Sequence, residues 1–336
     1  MHIKCVITAS AQPGRAATLT LKHSWSKEKP LPGSEVAGWA SPCNLHPEFL
    51  VQRTLQYDLG AHNFVAAAEA ILGPDLANLH KAPFKPPADT PPALRRAQIQ
   101  AQVNGGVSKA ERKGARDHAV HFERTGEWSR FCEVYDRFIA EWVVPHVGNV
   151  PILYQRKPIL RVVLPDSVPP TKPHCDADYY HDSNEINFWM PFTRVWGSNT
   201  LWSESAPGKG DYAPFECGPG ELVRFYGNRC RHYTLANDSG GTRVSIDFRV
   251  IPFHLYTPPT PFAERASKHA LDIGTSKKGY YALAGEDRLD ADARAALRRW
   301  RDDGQRIRKL EQQDQQDEEQ EEDLHLVRSI ACTTTT

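Results

Sequence analysis

Between residues 159 and 251 the chain breaks into short runs rich in β-branched and aromatic residues, separated by Pro, Gly, Asn and Asp. The runs are Ile159 to Leu164, Glu185 to Phe192, Asn199 to Ser203, Glu221 to Tyr226, His232 to Ala236 and Thr242 to Ile251. None has the length or the 3.6-residue periodicity of a helix, and each reads as a strand. Six such strands with turn residues between them predict a jelly roll or barrel, the arrangements that pair or close short antiparallel strands. Helical patterns lie on either side. Phe131, Val134, Tyr135, Phe138, Ile139, Trp142 and Val143 form one apolar stripe that Pro145 is expected to end. Val65, Ala68, Ile71 and Leu72 mark a helix within His62 to Leu72, Leu94 to Gly114 suits an exposed helix interrupted at Gly105 and Gly106, and Asp290 to Leu310 suits another.

The fold class expected is therefore mainly β with flanking α. Residues 1–149 supply N-terminal loops and supporting helices, residues 150–253 the β core, and residues 254–310 a C-terminal helical extension. Residues 311–336 form an acidic tail, expected to be disordered, in which Glu311 to Asp323 holds only Glu, Gln and Asp.

Composition narrows the function classes. Lys plus Arg and Asp plus Glu are both 41, so the net charge is zero and a nucleic-acid partner is not expected. No run reaches the roughly 18 apolar residues of a membrane helix. The seven Cys are scattered without a CxxC pair, which argues against a disulfide framework or a zinc knuckle and for a reducing, cytoplasmic compartment. The stretch before Glu28 lacks acidic residues and is weakly similar to an organelle transit peptide; a basic strand and loop is the preferred reading.

The chemistry concentrates in Lys172-Pro-His174-Cys-Asp176-Ala-Asp-Tyr-Tyr-His181-Asp. A neutral imidazole and a carboxylate two residues apart project to the same side of an extended chain and can grip one metal ion. His232, at the start of a later strand, completes two histidines and one carboxylate on one face of an octahedron, a set that leaves positions open and suits Fe(II). Asp178 and His181 compete for the ligand roles, with His-x-Asp geometry favouring Asp176. Period two on the strand Thr242 to Ile251 puts Arg243, Ser245, Asp247 and Arg249 on one face. Arg243 offers two parallel donors and Ser245 a hydroxyl, a receptor for the distal carboxylate of 2-oxoglutarate.

These residues resemble the iron and 2-oxoglutarate dependent dioxygenases. The blocks His174-Cys-Asp-Ala-Asp-Tyr, Glu185-Ile-Asn-Phe-Trp-Met-Pro-Phe-Thr, Gly197-Ser-Asn-Thr-Leu-Trp-Ser-Glu-Ser, Phe225-Tyr-Gly-Asn-Arg-Cys-Arg-His-Tyr-Thr and Thr242-Arg-Val-Ser-Ile-Asp-Phe-Arg-Val resemble, in order, the StrG-type oxygenases of streptomycin biosynthesis, relatives of phytanoyl-CoA dioxygenase. The resemblance spans roughly Tyr154 to Pro252 and implies a double-stranded β-helix, cupin-like, with iron at one open end. Where phytanoyl-CoA type enzymes carry Asn-Gly-x-Leu and a Pro-Gly-Ser-His run, this chain has Asn199-Thr-Leu-Trp and Ala206-Pro-Gly-Lys, so contacts inferred from that run do not transfer.

The expectation is an enzyme, a dioxygenase and oxidoreductase of biosynthesis, with Fe(II), 2-oxoglutarate and dioxygen as its cofactor and co-substrates. It would hydroxylate a polar small molecule such as a sugar, cyclitol or natural-product intermediate, releasing succinate and CO2. Desaturation or ring formation is the alternative outcome. A non-catalytic barrel and a 2-oxoglutarate-independent metal cupin are alternatives from other classes. Asn187 is assigned to the co-substrate carboxylate near iron, with a structural amide as its alternative. Arg161 faces either the barrel mouth or solvent, and Arg249 is expected to pair with Asp247 away from the metal. Trp189, Trp196 and Trp202 are read as packing residues. The oligomeric state is left open.

Overall fold

The computed structural model describes residues 43–81, 125–165, 171–179, 181–256 and 280–301, all within one compact unit. The expected helix Leu94 to Gly114, the basic N-terminal stretch and the acidic tail lie outside the described residues.

Among the described residues, ten strands form two antiparallel sheets. They are β1 (Arg53–Gln56), β2 (Ile152–Gln155), β3 (Ile159–Val163), β4 (Ile186–Pro191), β5 (Leu201–Ser203), β6 (Ala213–Pro214), β7 (Glu221–Phe225), β8 (His232–Thr234), β9 (Arg243–Pro252) and β10 (Tyr281–Ala284). The large sheet runs β1-β7-β4-β9-β2-β10 with β3 also on β9, and the small sheet runs β6-β5-β8. This is the jelly roll of a double-stranded β-helix. The six sequence-read strands all appear, five of them trimmed by one or two residues at their ends and the last shifted by one, to Arg243–Pro252. The large sheet also takes β1 and β10 from either side of residues 150–253.

The long strand β9 organises the molecule. It is ten residues long, and its alternation divides two environments. Val244, Ile246, Phe248 and Val250 are buried toward the helices, in one core with Ile186, Phe188 and Met190 of β4. Helix α1 (Phe64–Leu72), capped by Asn63, and helix α2 (Gly126–Phe138), capped by Thr125, lay Phe64, Phe131, Tyr135 and Phe138 into that core. Phe188 and Phe248 stack at 5.1 Å beneath them. The stripe read from sequence is this face. Pro145, however, does not stop the helix at its own position: α2 widens into a π turn over Ile139–Val143, and Pro145 lies inside the last turn, Val144–His146. A wider i→i+5 turn shifts the hydrogen-bond register, so the missing N–H of a proline is tolerated one residue further on.

The opposite face of β9 looks into the space between the sheets. Trp189, Val195, Leu201, Phe215, Cys217, Val223 and Phe225 pack there as a separate cluster. At the C-terminal end a helix beginning at residue 291 seats Leu297 beside Tyr256, Tyr281 and Ile251, sealing that side of the large sheet. None of the described cysteines is in a disulfide, and no described helix is long and apolar enough to cross a membrane.

Candidate metal centre

His174, Asp176 and His232 converge between the sheets, each offering a ligand atom within 4.8 Å of the others. Three backbone features bring them together. His174 and His232 face each other across an isolated antiparallel bridge, each amide donating to the other's carbonyl at 3.1 and 2.9 Å. The chain then turns through Asp176–Tyr179 as a single 3-10 turn, whose start is tied down by the Asp176 amide donating to the Gly227 carbonyl at 2.9 Å. His232 opens β8 of the small sheet, where Ser203 is its cross-strand partner. Among the described residues this is the one cluster of such ligand types.

Both imidazoles are oriented for coordination through Nε2. The Nδ1 of His174 donates to the Lys172 carbonyl at 2.7 Å, and that of His232 to the Cys230 carbonyl at 2.9 Å. A carbonyl oxygen only accepts, so both Nδ1 atoms carry the proton and each Nε2 keeps its lone pair. Both Nε2 atoms lie 3.5 Å from Asp176 Oδ1. That oxygen is buried and has no hydrogen-bond partner, whereas Oδ2 accepts from Asn187 Nδ2 at 2.6 Å and from Arg249 Nε at 2.9 Å. Burial by itself raises the Asp176 carboxyl, but the Arg249 guanidinium and the histidines outweigh it and hold Asp176 well below the usual carboxylate range. Burial pushes His232 down, toward the neutral ligating form. The residues therefore fit a divalent metal held by two imidazoles and one carboxylate oxygen.

The competing ligands have other partners. Asp178 Oδ2 accepts from the Cys175 amide at 2.9 Å, and His181 Nδ1 lies 2.8 Å from Glu185 Oε2. Asn187 lines the cavity and makes the contacts of the structural-amide alternative. Its Nδ2 donates to Asp176 and its Oδ1 accepts from the Gly227 amide at 3.0 Å, so it orients the carboxylate. Gly227 is small because a Cβ there would sit 2.7 Å from the Asn187 side chain. Gly227→Ala is expected to displace Asn187, lowering stability by about 1–3 kcal/mol and weakening metal binding; thermal melts and metal titration check it.

A second polar group lies along the inner face of β9. Arg243 is 1% exposed, and its Nε and Nη1 have no hydrogen-bond partner; neither does the buried Ser245 Oγ. Burial, reinforced by nearby Arg161, pushes the Arg243 guanidinium down to about 9. Its planar group rests 5.9 Å over the Trp189 ring. Arg161 faces inward, pairing with Asp247 through Nε. Arg249 pairs with Asp247 only at 3.9 Å, and it does not lie away from the metal ligands as expected: Asp176 and Glu185 are nearer, at 2.9 and 3.6 Å. Side chains two apart on a strand share a face but diverge along it, and the Asp176 loop offers the nearer carboxylate. Arg161, His174, Asn187, His232, Arg243 and Arg249 all line one cavity that opens toward solvent. Tyr179, 54% exposed, sets its ring 5.1 Å from that of His174. Trp189 is buried and Trp196 is 44% exposed, so the packing role read for Trp196 does not hold.

The chain matches no protein-family model. Over 107 residues it is 39% identical to the streptomycin biosynthesis protein StrG of Streptomyces griseus. Part of the chain is similar to StrG. The match covers 32% of this chain and 50% of StrG, so the chain spans about half the length of this curated relative. Among solved structures, the epimerase SnoN in complex with Fe3+, alpha ketoglutarate and nogalamycin RO aligns at 14% identity with a TM-score of 0.35, covering 61% of this chain and 98% of that one. The alpha ketoglutarate dependent carbocyclase SnoK from nogalamycin biosynthesis aligns at 12% identity with a TM-score of 0.33, covering 53% and 89%.

Proposed function

We propose that this protein is an Fe(II)- and 2-oxoglutarate-dependent dioxygenase that hydroxylates a polar small molecule, such as a sugar, cyclitol or natural-product intermediate. The observation that carries the reading is the buried Arg243 guanidinium, whose Nε and Nη1 have no hydrogen-bond partner, lining the same cavity as His174 and His232. A buried guanidinium with two free donors is costly unless an anion meets it. A dicarboxylate that reaches from the cluster to Arg243 satisfies both ends. The StrG likeness supports the biosynthetic small-molecule class. His174, Asp176 and His232 would hold the iron, which supplies dioxygen activation coupled to oxidation of 2-oxoglutarate to succinate and CO2. One oxygen atom enters succinate and the other the substrate.

The chain's own contribution is binding and orientation. Arg243 and Ser245 hold the distal carboxylate. Trp189, Leu201 and Phe225 line the cavity with apolar surface and exclude water. A metal cupin working without 2-oxoglutarate needs no such receptor, and a silent barrel needs neither it nor three oriented ligands. Adding 2-oxoglutarate to the Fe(II)-loaded protein without oxygen is expected to produce a weak visible charge-transfer band, and air is expected to yield succinate. Iron-loaded protein with neither the band nor calorimetric binding of 2-oxoglutarate would refute the assignment.

A further inference from the structure

Two arginines on the same face of β9 stand in opposite electrostatic states. Arg243 has donors to spare, whereas Arg249 is enclosed by acceptors. Its Nε lies 2.9 Å from Asp176 Oδ2 and 3.6 Å from Glu185 Oε2, and its Nη1 donates to Gln155 Oε1 at 3.4 Å. Glu185 is wholly buried; its Oε1 accepts from the Tyr281 hydroxyl, and His181 Nδ1 lies 2.8 Å from its Oε2. A line of buried groups thus runs from β10 through Glu185 and Arg249 to the one carboxylate of the cluster.

We propose that Arg249, braced by Glu185, is a positioning residue that keeps Asp176 a one-oxygen ligand. This inference rests on the iron reading above. A carboxylate beside a divalent ion can bind through one oxygen or two, and binding through both would consume a position that the keto acid or dioxygen needs. Here Oδ2 is occupied by two donors, Asn187 and Arg249, one of them charged. Rotating it onto a metal would break both bonds and leave Arg249 buried with fewer acceptors, so only Oδ1 is free to coordinate. Glu185 makes this affordable in the interior by balancing the Arg249 charge. Its Oε2 lies 3.6 Å from the same Nε that donates to Asp176.

Cobalt(II), added anaerobically in place of iron to the full chain, tests this through affinity and through the visible ligand-field spectrum, which reports coordination number. Loss of an outer-shell partner costs roughly 10–100-fold in metal affinity. Arg249→Lys keeps the charge but loses the directed Nε–H, and is expected to weaken cobalt about tenfold and alter the band intensity. Glu185→Gln should shift both in the same direction by less, because it acts through Arg249. An Arg249→Lys protein that is folded by circular dichroism and matches the wild type in affinity and spectrum overturns the proposal. Should Arg249→Lys fail to fold, Glu185→Gln decides, and an unchanged spectrum overturns it. A wild type that binds no cobalt removes the iron reading itself, and this inference with it.

Discussion

His232→Ala is expected to lower Fe(II) affinity by more than about a hundredfold, beyond the roughly 10–100-fold lost with an outer-shell partner, and to abolish turnover while the protein stays folded. The imidazole makes only a local hydrogen bond, to Cys230, and the bridge to His174 is made by backbone groups that alanine retains. Asp176→Ala should lose the metal equally but behave differently toward heat. It strips Arg249 of its nearest carboxylate and Asn187 of its acceptor, both in the interior. Breaking a buried pair by removing one partner costs about 3–5 kcal/mol, so its melting temperature should fall well below that of His232→Ala. Metal titration and thermal melts on the two variants check both halves. Wild-type iron affinity in His232→Ala would require rebuilding the ligand set, starting from His181.

Arg243→Lys is expected to weaken 2-oxoglutarate binding by about ten- to a hundredfold with iron affinity nearly unchanged. A charge-assisted hydrogen bond is worth about 1.5–3 kcal/mol, and about 1.4 kcal/mol is tenfold in affinity. Lysine keeps the charge but not the two-donor fork. Ser245→Ala should cost less. The fold itself supplies an independent check. A base whose folded pKa is depressed, here to about 9, destabilises the native state in full below that value, and the cost fades as pH rises above it. At neutral pH the buried guanidinium is therefore charged at the expense of stability. Arg243→Met should raise the melting temperature of the protein free of 2-oxoglutarate and abolish the rise that 2-oxoglutarate gives the iron-loaded wild type. Equal loss of 2-oxoglutarate affinity on changing Arg249 alone would refute the assignment to Arg243.

The period-two and helical patterns were legible because they record burial one residue at a time. On β9 the alternation already separated Arg243, Ser245, Asp247 and Arg249 from Val244, Ile246, Phe248 and Val250. The ligand types announced themselves by local spacing in His174-x-Asp176, and Phe131 to Val143 by its stripe. Short edge strands escaped: β1 has an almost wholly exposed, polar pattern, and only pairing with β7 makes it a strand. The partners of the charged residues were likewise decided in three dimensions. Adjacency on the strand suggested Arg249 with Asp247, yet the turn at Asp176–Tyr179 carries a carboxylate to within 2.9 Å of Arg249, while Asp247 is taken by Arg161 of the neighbouring strand. Which oxygen of Asp176 is tied down, and that Asn187 is one of the groups tying it, depends on chain segments far apart in sequence. Periodicity determines which face a side chain occupies; the charge it meets there is set by the packing of other strands and loops, because ion pairing depends on distances of a few ångströms that no local pattern encodes.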